Sequence, residues 1–119
     1  ILIGNQDAVR VVVAITSVSV RQPIANRILS NTARAGATAF LKTLALEVAG
    51  DGVTVNSVQP GLHRTPRVEQ IYGGEENAGM RMGEASDFGR IVAFLCSEAA
   101  KFTTGAALHV DGGTYLALQ

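Results

Sequence analysis

Three short polar segments stand where an apolar-rich run stops: Thr16-Ser17 after Val11–Ile15, Pro60-Gly61-Leu62-His63-Arg64-Thr65 after Val53–Val58, and Asp111-Gly112-Gly113 after Leu108–Val110. The hydroxyls of Thr16, Ser17 and Thr65 can hydrogen-bond a carbonyl or an alcohol. The imidazole of His63, with a reference pKa of about 6.5, suits proton donation near neutral pH. If the apolar runs are strands of an open parallel sheet, all three segments lie at carboxyl ends, where such sheets bind ligands. Each has a plainer account beside it. A serine closing a strand can bond local backbone, and Pro-Gly after a strand is a turn signal.

The other reactive side chains invite less chemistry. Cys96 ends the apolar stretch Ile91–Cys96 and is expected in the core, as free cysteines usually are. His109 lies between Leu108 and Val110, which predicts a sheet-face or core histidine. Glu75-Glu76 reads as a solvated face. Two histidines and scattered carboxylates show no metal-ligand spacing, so no metal is expected. Lys+Arg and Asp+Glu number 10 each, leaving no net charge to draw nucleic acid or an anionic membrane. No apolar run approaches the ~20 residues that span a bilayer. The opening Ile1-Leu2-Ile3-Gly4 carries no charged leader, so no signal peptide is expected and the expected compartment is the cytoplasm.

The elements that must position these segments follow from apolar patterning. Val11–Ile15 is a continuous, mostly β-branched run, as a strand buried on both faces requires. From Asn26 to Val48, Leu29, Ala33, Ala37, Phe40, Leu44 and Val48 recur at steps of three and four, which traces one stripe along a helix. Gly50-Asp51-Gly52 ends that helix. Val53–Val58 is a second buried strand. Leu62–Ser86 is polar, with at most a short helix at Arg67–Tyr72, and reads as a loop or lid. Ser86-Asp87 is expected to cap a helix over Phe88–Ala99, and Leu108–Val110 is a third strand. Residues Ile1–Asp7 define no element. Strand, helix, strand, helix, strand is the grammar of a parallel sheet in one domain at most.

Four segments then resemble landmarks of the short-chain dehydrogenase/reductase family, in its order and at its spacings: Ala14-Ile15-Thr16-Ser17, Phe40–Glu47, Val53–Gly61 and Val110-Asp111-Gly112-Gly113. The resemblance covers nearly the whole chain. It implies an α/β fold, the C-terminal half of a doubly wound parallel-sheet Rossmann domain. It implies hydride transfer between NAD or NADP and an alcohol or carbonyl, with a 3-oxoacyl thioester among the candidate substrates. Ser17 matches the catalytic serine. Pro60 and Gly61 match the turn beside the nicotinamide carboxamide, Leu62 lies against that group, and Thr65 matches a cofactor-contacting threonine. The family's habit implies a small-molecule substrate and a homodimer or homotetramer, with the Ala/Gly-rich centre of the Asn26–Val48 helix as the contact.

Two positions depart from the pattern. Thirteen residues after Ser17, where the family has tyrosine, stands Ser30; four further on, where it has lysine, stands Arg34. Both face one way on a helix, but an unassisted serine is too weak an acid to replace tyrosine. Arg34 is a permanent cation able to bond a cofactor ribose. His63, acting through water and the Ser17 and Ser30 hydroxyls, is the candidate replacement acid, against the plainer reading of an exposed loop histidine. The family's glycine-rich pyrophosphate turn is absent from these residues, so the chain is expected to lack the dinucleotide-binding half. A catalytically altered binding or scaffolding homologue is the rival reading.

Overall fold

The computed structural model describes residues 2–5 and 8–118. The chain runs β1 (Leu2–Asn5), β2 (Ala8–Ile15), α1 (Ile28–Val48), β3 (Thr54–Pro60), β4 (His63–Arg64), α2 (Pro66–Tyr72), α3 (Glu75–Ala78), β5 (Gly83–Glu84), α4 (Ala85–Leu95) and β6 (Ala107–Val110), with single 3-10 turns at Val18–Val20, Ala49–Asp51 and Glu98–Ala100. The main sheet has the order β1-β2-β3-β6. β2, β3 and β6 are parallel, as the apolar runs predict, with Ile15 opposite Val58 and Gln59 opposite His109. β1 is an antiparallel edge strand paired to β2 from Leu2–Val12 to Asn5–Ala8. This corrects the expectation of no element there: four residues are too few for alternation to show, and backbone pairing to β2 supplies what the pattern lacks.

Alternation along β3 assigns the two faces. Val58 joins Val13, Val92, Leu95 and Ala100 in the buried core, so α4 covers that face, with Phe88, Ile91 and the partly buried Cys96 packed around it. Val55 and Ser57 instead line a cleft with Thr38, Leu41 and Lys42 of α1, which covers the opposite face. Helices on both faces of a mostly parallel sheet are what continuous apolar strands need. The cover ends early on β2: Val13 is fully buried, yet Ile15 on the same face is 52 % exposed, so that strand is not buried to its tip.

Helix α1 is turned differently from its apolar stripe. Ala45 is its one buried residue, with Asn31, Thr38, Leu41, Leu44 and Val48 partly covered. Leu29, Ala33, Ala37 and Phe40 face outward, Leu29 at 84 % exposure. The helix passes into the turn Ala49–Asp51, and Gly52 closes it at φ 69°, where a side chain would be strained.

The polar stretch after β3 holds more structure than expected. α2 appears where the short helix was expected, capped by Thr65, whose Oγ1 accepts the Val68 N–H at 3.2 Å and which precedes a proline at the first helical position. But α3 follows, β4 and β5 form a two-stranded parallel ladder, and Met82 is buried. The Gly83 N–H bonds the Leu62 carbonyl at 2.9 Å, and Arg64 pairs with Glu84 at 2.8 Å. Such short ladders lie below what periodicity can show. Ser86 and Asp87 sit inside α4 rather than capping it; Glu84 holds the cap position without a side-chain bond to the helix N-terminus, and Asp87 instead pairs with Arg90 one turn on.

One polar side chain fastens the sheet to the connection before β6. Asn56, buried in β3, donates from Nδ2 to the Thr103 carbonyl at 2.8 Å and accepts the Ala106 N–H on Oδ1 at 3.1 Å. No helix among the described residues is long and apolar enough to cross a membrane.

Candidate active site

β2 ends at Ile15, and the chain must then leave the sheet. Thr16 keeps the ladder for one more residue, its N–H reaching the Val58 carbonyl at 2.9 Å. Ser17 follows in an extended conformation and caps the 3-10 turn, its Oγ accepting the Ser19 N–H at 3.1 Å. This local role is the plainer one foreseen for a strand-ending serine, and it leaves the hydroxyl proton free to be given elsewhere.

The first turns of α1 return to the same place. Arg34 Nη1 donates to the Thr16 carbonyl at 2.5 Å, across 18 residues, and Nε donates to Ser30 Oγ at 3.2 Å. The helical spacing puts Ser30 and Arg34 on one flank, and the guanidinium fork fixes that flank against the end of β2. Ser30 and Arg34 are exposed, Ser17 partly so. The structure therefore brings Thr16, Ser30 and Arg34 into one network beside Ser17.

β3 ends in the second group. The Gly61 N–H bonds the Val110 carbonyl at 3.1 Å, and a Cβ on Gly61 would come within 2.8 Å of Asp111 Cα and Cβ, so the Pro-Gly turn presses on the backbone that follows β6. Only glycine permits that approach. Asp111 is held by its own turn, its carboxylate accepting the Gly113 N–H at 3.0 Å, the Tyr115 N–H at 2.8 Å and the Thr114 hydroxyl at 3.2 Å. Partial burial works to raise its pKa. The Tyr115 and Gly113 N–H groups, the Thr114 hydroxyl and nearby His109 together outweigh that and hold it below the ordinary carboxylate value.

Pro60, Gly61, His63 and Thr65 line one recess of about 270 Å³ with Val68, Ala85 and Phe88. His63 is half-buried, its Nδ1 3.2 Å from the Gly61 carbonyl and its ring edge-on to Phe88 at 5.1 Å. Leu62 is tied through its carbonyl to Gly83. The expected cofactor residues Pro60, Gly61 and Thr65 are thus brought together, with His63 among them. The expected serine group lies at the end of the neighbouring strand, and among the described residues no hydrogen bond joins His63 to Ser17, Ser30 or Arg34.

Two features escaped the sequence. Among the described residues, Gln59, fully buried in β3, finds no hydrogen-bond partner for either amide atom, and its register neighbour His109 finds none for Nδ1 and stacks on Tyr115 at 4.6 Å. The strand read from the sequence, Val53–Val58, stops before Gln59, so nothing in the pattern marks it. The Thr114 and Tyr115 bonds to Asp111 were equally invisible, although the Asp-Gly-Gly turn was not.

Comparison with known proteins bears on this geometry. Residues 5–115 match the family model described as enoyl-(acyl carrier protein) reductase. The chain is 46 % identical over 91 residues to the 3-oxoacyl-(acyl-carrier-protein) reductase of Haemophilus influenzae, covering 71 % of this chain and 37 % of that protein. Among solved structures, a 3-oxoacyl-(acyl-carrier protein) reductase from Brucella melitensis superimposes with a TM-score of 0.76 at 40 % identity, covering 92 % of this chain and 45 % of that one. The NADPH-bound structure of a short chain oxidoreductase from Pseudomonas aeruginosa PAO1, described as containing an atypical catalytic center, gives a TM-score of 0.81 at 25 % identity, covering 90 % of this chain and 46 % of that one. The chain therefore spans less than half the length of these relatives.

Proposed function

This chain belongs to the short-chain dehydrogenase/reductase family, and from that premise we propose that it is the C-terminal half of an NAD(P)-dependent oxidoreductase that interconverts an alcohol and a carbonyl, with a 3-oxoacyl thioester as the substrate class. One observation carries the reading. Ser17 and the Pro60–Thr65 turn leave the carboxyl ends of adjacent parallel strands, paired through Ile15 and Val58, so one ligand can touch both.

The recess behind Pro60 and Gly61 fits the nicotinamide end of a dinucleotide. Its walls are largely apolar, from Val68, Ala85 and Phe88, and the His63 ring already packs there edge-on to Phe88. When bound, the dinucleotide supplies or accepts the hydride. Pro60, Gly61 and Leu62 would meet the carboxamide, and Thr65, lining the same recess, would contact the cofactor beside them. Ser17 hydrogen-bonds the substrate oxygen. Arg34 spends two of its five N–H groups on Thr16 and Ser30, and the rest, unbonded among the described residues, can serve a ribose hydroxyl. The working form is a cytoplasmic homodimer or homotetramer acting on a small molecule.

The test is change in nicotinamide absorbance with NADH and NADPH, each with acetoacetyl thioester, comparing the full-length protein with its Ser17→Ala variant. Turnover abolished in the variant supports the reading. Dinucleotide binding without turnover would favour the second reading, a non-catalytic homologue, for which Ser30 in place of tyrosine is the specific observation.

A further inference from the structure

The two serines share one feature that their separate positions conceal. Each hydroxyl oxygen already accepts an N–H, Ser17 from the Ser19 backbone at 3.1 Å and Ser30 from the Arg34 guanidinium at 3.2 Å. Among the described residues, neither hydroxyl donates to a protein acceptor. A serine has one proton to give, and when its oxygen is engaged by a donor that proton points elsewhere. The bond from Arg34 is charge-assisted, so it draws electron density from the Ser30 oxygen and strengthens Ser30 as a donor. Arg34 is fixed in turn by the Thr16 carbonyl, one residue before Ser17, so the two hydroxyls are tied to one point of the backbone.

Resting on the oxidoreductase reading above, we propose that Ser17 and Ser30 form a non-titrating pair of donors to the substrate carbonyl, with Arg34 and the Thr16 carbonyl as the positioning groups. The carbonyl carbon receives the hydride from the reduced nicotinamide, the C=O π pair becomes a lone pair on oxygen, and the two hydroxyls stabilise that alkoxide without surrendering their protons. The alkoxide takes its proton from a water molecule, which the exposed position of Ser30 admits, and hydroxide leaves to the buffer. Preorganised donors of this kind act where charge develops. On the segments that leave β2 for α1 and β3 for α2, the charged or titratable groups are Arg21, Arg27, Arg34, His63 and Arg64; of these, Arg34 alone is hydrogen-bonded to either serine among the described residues.

Two measurements on the full-length protein test this. The first is kcat for acetoacetyl thioester against pH between about 6 and 9, the span that holds the imidazole titration. The expected profile is flat, with Ser30→Ala about 100-fold slower at every pH and Ser30→Thr restoring most of the rate. A profile that titrates, or Ser30→Ala at wild-type rate, overturns the proposal while leaving the oxidoreductase reading intact. The second does not depend on turnover: the infrared C=O stretch of the same thioester's keto group, bound with oxidised dinucleotide. It is expected at lower wavenumber than in solution, returning toward the solution value in Ser30→Ala and Arg34→Met. A stretch unmoved by either substitution overturns the proposal even where the rates fall. No turnover with any dinucleotide and no shift on binding would overturn both readings together.

Discussion

Gly61 and Asp111 meet so closely that one methyl group separates their turns from collision: a Cβ on Gly61 would lie 2.8 Å from Asp111 Cα. The contact joins the ends of β3 and β6 and holds the Pro-Gly turn over the recess. Gly61→Ala should therefore destabilise the protein by about 1–3 kcal/mol, the usual cost of overpacking against backbone that cannot step aside. Urea unfolding checks this, and an unchanged midpoint would mean the two turns separate freely.

Asp111 makes a related prediction in pH. Its carboxyl is held below the ordinary value chiefly by the Tyr115 and Gly113 N–H groups, against the opposing effect of burial. The folded state thus binds the proton less readily than the unfolded chain. The stability it contributes is complete above the unfolded value of about 3.9 and is lost as pH falls through the lower folded value. Asp111→Asn should be less stable than wild type at pH 7, with the gap closing in acid. A gap constant from pH 7 to pH 3 would show that the charge does not matter.

His63 lies in the Pro60–Thr65 recess against Phe88, bonded to the Gly61 carbonyl, rather than within the serine network. His63→Gln should keep kcat within a few-fold of wild type and act mainly on KM through the recess. A fall of ~100-fold in kcat, with Ser17→Ala also inactive, would instate His63 as the general acid.

The outward stripe of α1, with Leu29 and Phe40 exposed around Ala33 and Ala37, is the surface proposed to meet a second copy. Small residues at its centre let two helices approach closely, and a two-fold contact would pair the stripe with itself. Light scattering should find an oligomer in solution that Ala37→Glu dissociates. A monomer whose mass is unaffected by the substitution would refute the interface.

What the sequence disclosed follows physical scale. The parallel strands were legible because Val11–Ile15 is an unbroken apolar run, while Val53–Val58 and Leu108–Val110 are short, apolar-rich runs closed by turn residues, and the ends of those runs located Ser17, Pro60 and Asp111. The direction in which α1 faces was not, since Ala33, Ala37 and Phe40 satisfy a helical stripe equally well outward or inward. β1, β4 and β5 have four residues or fewer and owe their existence to partners in space. The Arg34 fork was half visible: the four-residue spacing put it beside Ser30, while the bond to Thr16 depends on how the turn after β2 folds back.

The parallel ladder sets a further condition on this chain, in time rather than in space. β2 pairs with β3 between residues 43 apart, Val11 with Thr54, and β3 with β6 between residues 50 apart, Ser57 with Ala107, whereas β1 meets β2 within 10, Leu2 with Val12. Loop closure over such spans must precede any reward from pairing, so the hairpin and α1 can form early while the central ladder waits on a long search. Refolding after a urea jump should accordingly be slower than for a helical bundle of the same length, with Asn56→Ala slowing it further if its clasp on Thr103 and Ala106 closes in the transition state. Until that closure, the apolar centres of β2 and β3 stand open to other chains, and the yield of native protein should fall with concentration.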